Sequence, residues 1–344
     1  MYLASRKTWF FWLRMLLVAM VLASAASVAQ AQSIGRLLFL NPSTGATLVG
    51  GIDQLGQFHK YASGIRTPLI GKSVLVPTAD GILAYSPSAD GQIVRIDGVG
   101  YPTFSNIINL SPGWKQIVSF GDHLFFYNGG NGGAIVVVNS NGSVLQTQTI
   151  PNLSVWSQII PTNNYLTFYQ KNTGNYAVAV ISYQEVLVSI NYGTIGKSYT
   201  LFGAVGDDTM PYDPTTGSYE IDAIKYSGNN SDNISVRSNG KILPGFNSVV
   251  ESNGYLFWYN ILNGRIVIGY IDKTLPTGGV WKQTQSAIAS ISWSSVLTAG
   301  QFILFYNKSS GSLAVGYISP QGQFVQTYAA NIDPSYSSVA ATTR

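Results

Sequence analysis

Carboxylates are scarce in this chain, yet five of its 15 fall within 16 residues: Asp207, Asp208, Asp213, Glu220 and Asp222. A hard cation takes several oxygen ligands at once, so the cluster marks the place for a divalent-metal site, with Asp207 and Asp208 as its first ligands. The same residues also suit structural work. Asp207-Asp208 and Asp213 stand where turns are expected, and Asp starts turns by hydrogen-bonding nearby backbone. Glu220 and Asp222 are two apart, which places them on one face of a strand. The two turns fall on opposite rims of a meander, so the five need not converge. Turn chemistry with a solvated strand face is the reading favoured, and no cofactor is expected beyond that possible divalent cation.

Other reactive constellations are thin. There is no cysteine, so neither a disulfide nor a thiol nucleophile exists. The two histidines, His59 and His123, fall in different repeats, and no Gly-x-Ser-x-Gly elbow accompanies them. Gly-Lys-Ser occurs at 71–73 and 196–198, but a phosphate-binding loop needs a further glycine where Arg66 and Asn191 stand, and then a helix. Both stretches lead into strands instead.

The elements that must position these residues are repeats. From Trp114 to Thr149 the chain reads as four short strands separated by a Gly-Asp turn, an Asn-to-Gly turn and an Asn-Gly turn. Aligned on the end of the second strand, the chain returns to the same pattern at Leu40, Tyr85, Tyr127, Tyr169, Tyr212, Tyr259 and Tyr306, at spacings of 42 to 47 residues. An apolar anchor precedes each Tyr by ten residues, from Leu75 to Val296. Three residues before that stand Lys72, Trp114, Trp156, Tyr199, Phe246 and Trp293. The first unit lacks a first strand, and Tyr336-Ser-Ser-Val339 is a first strand without a second. The C-terminal strand is therefore expected to complete the N-terminal unit. Seven such units predict an all-β, seven-bladed β-propeller of four-stranded blades, closed by that strand. The pattern resembles secreted bacterial propellers with W-x-x-I…L-F-Y-N repeats and, more distantly, tachylectin-type lectins, which would imply sugar binding at related sites.

Aromatics are the candidate ligand contacts. Trp114, Trp156 and Trp293 belong to a repeated series that either stacks on sugar faces or fills the wedge between blades. Repetition in nearly every unit is what packing requires, and Phe246 has no polar edge. Tyr192, Tyr226 and Trp281 lie outside the aligned pattern and are the better ligand candidates. Length variation is confined to the later hairpin and the connector, longest at 213–245 and 260–292, so the rim carrying connectors and Asn-to-Gly turns is the expected functional face.

Residues 1–31 read as a signal peptide: Arg6, Lys7 and Arg14, an apolar run from Met15, then Ala29-Gln30-Ala31. An uncleaved anchor is the alternative. Residues 32–344 would form the single propeller domain, with no membrane span, secreted or periplasmic. Three of the 19 basic residues lie in the leader, leaving 16 against 15 acidic ones, so the footprint of a nucleic-acid binder is missing. Charged residues make up only 10% of the chain. Such a surface suits uncharged polar partners, a glycan or a neutral cell-surface ligand. The expected function is a non-enzymatic carbohydrate-binding or adhesion protein. The alternatives are a metal-assisted hydrolase or lyase, and a cell-surface scaffold for other proteins.

Overall fold

The computed structural model describes residues 35–342, apart from 79–80, 89, 98–99, 106–107, 111–112, 140–142, 183, 185, 226–232, 275–278 and 290–292. The expected leader and Tyr226 lie outside the described residues.

Seven antiparallel sheets form, one per repeat. Blade 1 takes its inner strand from the far end of the chain: Ser338–Ala341 pairs Gly35–Asn41, followed by Ala46–Ile52 and Phe58–Ile65. The register joins Leu37 to Ala341 and Leu40 to Ser338, so the C-terminal strand does complete the N-terminal unit. In blade 2 (Val74–Thr78, Gly81–Tyr85, Asp90–Ile96) the outer strand is broken into Pro102–Phe104 and Ile108–Asn109. Blade 3 runs from Gln116–Phe120 to Val144–Ile150 and blade 4 from Gln158–Pro161 to Leu187–Thr194. Blades 5, 6 and 7 begin at Leu201–Val205, Ser248–Ser252 and Ser295–Ala299 and end at Asn233–Lys241, Val280–Ile288 and Phe324–Asn331.

The first strands of successive blades touch one another around the full circle, and that of blade 7 touches Ser338–Ala341. They are the inner strands. Second and third strands are covered on both faces, which is why they read as near-continuous apolar runs; Leu37, Leu38, Phe39 and Leu40 are all fully buried. In six of the seven blades a register shift separates the third and outer strands, at Gly50, Val136, Ala179, Asp222, Gly269 and Gly316. Such a bulge sharpens the twist that turns each blade's outer edge away from the axis.

The Asn-to-Gly turns join second to third strands. Asn307 Oδ1 accepts from the backbone N–H groups of Ser309 and Ser310, and Gly311 ends the turn at φ +72°. A side chain at Gly311 would strike the carbonyl of Ile332, where the chain leaves the outer strand of the same blade. The glycine is therefore required twice over, by conformation and by close approach.

Candidate functional site

On the rim that carries the connectors, the aromatic series meets the series of second-strand tyrosines. The Tyr127 hydroxyl accepts from the backbone N–H of Trp156 at 2.6 Å, and Tyr212 and Tyr259 accept likewise from Phe246 and Trp293, both at 3.3 Å. Tyr85 and Tyr169 bond the backbone of Trp114 and Tyr199, and Tyr306 donates to the Tyr336 carbonyl at 3.0 Å. Each tyrosine thus latches its blade to the start of the next. The junction of blades 1 and 2 differs: Leu40 has no hydroxyl, and Lys72, buried, pairs with Asp90 instead. Burial raises the pKa of Tyr85, Tyr212 and Tyr259, and pushes Tyr169 and Tyr306 up to about 12, so these five remain neutral hydrogen-bonding groups.

Latching decides what the aromatic rings can do. Tyr199, Phe246 and Tyr336 are buried. Trp114 packs on Phe126 at 5.4 Å between ring centroids, with its Nε1 buried and without a hydrogen-bond partner. Trp156 and Trp293 pack one edge on Phe168 and Phe305, at 5.9 and 5.6 Å, and present another to a recess. Trp281 is also buried; its ring lies against Gly269, between blades 5 and 6, and its Nε1 has no hydrogen-bond partner. It therefore presents no face to a ligand.

The recess at Trp156 brings two of the candidate ligand contacts together. It has a volume of about 650 Å³ and is bounded by the connector Ser154–Trp156, the turn residues Gln170 and Asn175, and Tyr192 on the outer strand of blade 4. Tyr192 is 70% exposed and Val155 63%. Gln170 Oε1 accepts from Asn175 Nδ2 and Thr173 Oγ1, which fixes the amide edge of the recess. No charged side chain lines it. A smaller recess of about 460 Å³ lies beside Trp293, with Asn247 and Tyr259. Gln170 and Val155 were not singled out from the sequence. Their signal was available: Gln170 replaces the Asn or Asp found in most other turns, and Val155 is an apolar residue in a connector.

The fifth-unit carboxylates diverge. Asp207 turns to blade 4, accepting from the backbone and side-chain nitrogens of Asn164 at 3.0 and 2.8 Å. Asp208 is buried and turns toward blade 6, 2.7 Å from Lys273 Nζ and 3.8 Å from Arg237. Asp213 starts its turn by accepting from Thr215 and Thr216. Glu220 accepts from the Gly196 backbone and bonds the Tyr199 hydroxyl. Asp222 is 1% exposed, and neither oxygen has a hydrogen-bond partner. Burial first, then the charges of Glu220 and Asp208, push its carboxyl well above the usual range. Among the described residues no group of three or more His, Cys, Asp or Glu gathers as a metal ion would need. Asp207 and Asp208 are engaged by different blades. The histidines are separate too: His59 pairs with Asp53 at 2.8 Å and His123 with Asp122 at 2.7 Å.

No protein-family profile matches the sequence, and no curated protein matches it. Solved structures do match in fold. A proposed 6-phosphogluconolactonase from Bacteroides fragilis is 11% identical with a TM-score of 0.65, over 91% of this chain and 98% of that one. The periplasmic gluconolactonase PpgL of Pseudomonas aeruginosa is 14% identical with a TM-score of 0.63, over 90% and 99%. AztD from Citrobacter koseri is 13% identical with a TM-score of 0.57, over 90% and 97%. At such identities the likeness concerns the fold alone, and the fold that these observations establish for this chain is the seven-bladed β-propeller.

Proposed function

We propose that this protein is an exported, lectin-like binding protein, periplasmic or outside the cell, which holds a carbohydrate or similarly neutral polar ligand on its connector rim. The observation that carries this reading is the recess where Trp156 and Tyr192 meet Gln170 and Asn175 with no charged group. Flat aromatic faces take the C–H face of a sugar ring, and amides take its hydroxyls. The recess at Trp293 supplies a weaker companion on the same rim, and two modest sites gain by avidity on a multivalent surface.

Catalysis in the central channel is the second reading, and the names of the gluconolactonase neighbours favour it. Against it, Glu251 is the one ionisable residue on the seven inner strands, and it accepts from the Gly254 backbone at 2.7 Å. Both readings place a sugar-derived molecule on the protein.

A glycan array followed by calorimetry on the best binder tests the proposal. Tyr192→Ala, at an exposed position, is expected to weaken binding by about tenfold with the melting temperature unchanged. An array without a binder, or a binder indifferent to Tyr192, would overturn it.

A further inference from the structure

The rim opposite the connectors carries a larger recess, of about 740 Å³, built where blades 6, 7 and 1 meet. Its walls are tied across both junctions. Gln57 Nε2 donates to the Thr327 carbonyl and Thr327 Oγ1 donates to the Gly56 carbonyl, both at 2.9 Å, which joins blade 1 to blade 7. Tyr255 donates to the Pro320 carbonyl at 2.9 Å and Ser252 to the Gln301 carbonyl at 2.8 Å, which joins blade 6 to blade 7.

An exposed leucine is held over this recess by construction. Leu55 stands at the tip of the turn from Asp53 to Gln57 and is 74% exposed. Asp53 Oδ1 accepts from the backbone N–H groups of Leu55 and Gln57, both at 2.9 Å, and Oδ2 pairs with His59. The turn is thus rigid, and it holds an apolar side chain in water. Val325, 37% exposed, and the ring of Tyr317 continue the apolar surface, and Tyr317 is fixed edge-on to Phe302 at 6.4 Å. Gln54, Asn253 and Gln301 place amides around it. No charged side chain lines the recess.

We propose that this recess is a second binding site, distinct from the one at Trp156, for an uncharged molecule with a flat apolar body and a hydrogen-bonding edge. The size fits: small-molecule sites span about 300–1,000 Å³ and are apolar with a few placed polar groups. The cross-blade bonds hold the walls in place, which lowers the ordering cost of binding. The lack of charge selects against ions, because an ionic group would lose its hydration there with nothing to replace it.

Fluorescence titration of the full chain with uncharged N-phenylnaphthylamine and with its anionic relative, anilinonaphthalene sulfonate, tests the site. The uncharged probe is expected to saturate at one equivalent, and the anion to bind about tenfold more weakly. Leu55→Asn and Val325→Asn are each expected to lower the affinity for the uncharged probe by about tenfold at unchanged melting temperature, with Tyr192→Ala without effect. Non-saturable uptake, equal affinity for the anion, or indifference to both substitutions would overturn the site. So would loss of binding in Tyr192→Ala, which would put the probe on the other rim.

Discussion

The junctions between blades 4 and 5 and between blades 6 and 7 share one framework and fill it in opposite ways. Between blades 6 and 7, Phe257 meets Phe324 at 5.7 Å and Phe305 at 5.5 Å, while Gly316, at the register shift, leaves the space that the Phe324 ring occupies. At the matching positions between blades 4 and 5 stand Thr167, Ile234 and Asp222. The other second strands carry Leu38, Leu83, Phe125, Met210 and Leu304 where blade 4 has Thr167. Thr167 Oγ1 and both Asp222 oxygens are buried without hydrogen-bond partners. Apolar packing there is split into two small clusters, around Tyr176 and around Tyr169, where the 6–7 junction has one. The ring therefore tolerates one poorly satisfied junction. The Tyr169 latch and the hydrogen bonds of Glu220 to the blade 4–5 connector hold the backbone, so the interior need not.

Three measurements sharpen or break that contrast, alongside the two binding tests. The largest effect is expected for Phe257→Thr, which gives the 6–7 junction the residue of blade 4. By the cost of deleting a buried ring it should lose about 3–5 kcal/mol in denaturant unfolding. A loss below about 1 kcal/mol would mean that the two junctions do not differ in what they demand. A smaller effect, of opposite sign, is expected for Asp222→Val, which installs the residue that blades 2 and 3 carry at this position. Removing an unpaired buried polar group should stabilise the protein by about 1–3 kcal/mol at pH 8. The smallest is the pH dependence of that gain. The Asp222 carboxyl titrates above its unfolded value, so wild-type stability from this group is full below a pH of about 3.9 and is lost as pH rises toward the folded value. The advantage of Asp222→Val should therefore shrink as pH falls toward 4. An advantage that is constant with pH would show that Asp222 binds protons alike in the folded and unfolded chains, its carboxyl not raised by burial.

The framework was legible because repetition is written in residue types. The second-strand tyrosines, the aromatic residues that precede the inner strands and the Asn-to-Gly turns fixed seven units and their closure. Which strand faces the axis was not legible: within one blade the strands differ little, and only contact around the ring separates inner from outer. Trp281 looked unique because it stands ten residues after Ile271, where Phe58 and Phe324 stand six after Ile52 and Ile318, and that longer connection shifts it out of alignment. In space it matches Phe58 and Phe324, each paired through an isoleucine of the third strand. The carboxylate cluster was partly legible. Turn placement and strand alternation already said that five acids close in sequence need not converge, and Asp208 does face blade 6 while Glu220 faces blade 4; what the sequence did not show is that Asp222, expected on a solvated strand face, is buried. The recess at Trp156 was half legible: Trp156 and Tyr192 stood out, while Val155 and Gln170 took meaning only from where the connector and turn meet.

Pairing of Leu37–Leu40 with Ser338–Ala341 sets an order of events. A ribosome delivers the head of the ring first and its partner strand last, so the first blade waits with one edge open until nearly the whole chain has emerged. Blades 2 to 7 can stack meanwhile, but the circle shuts in a single late step. Cutting the chain just before Ser338 should therefore leave an open, edge-exposed arc, prone to join with its own copies, while joining the ends by a short linker and reopening the chain at a surface turn should leave the ring intact.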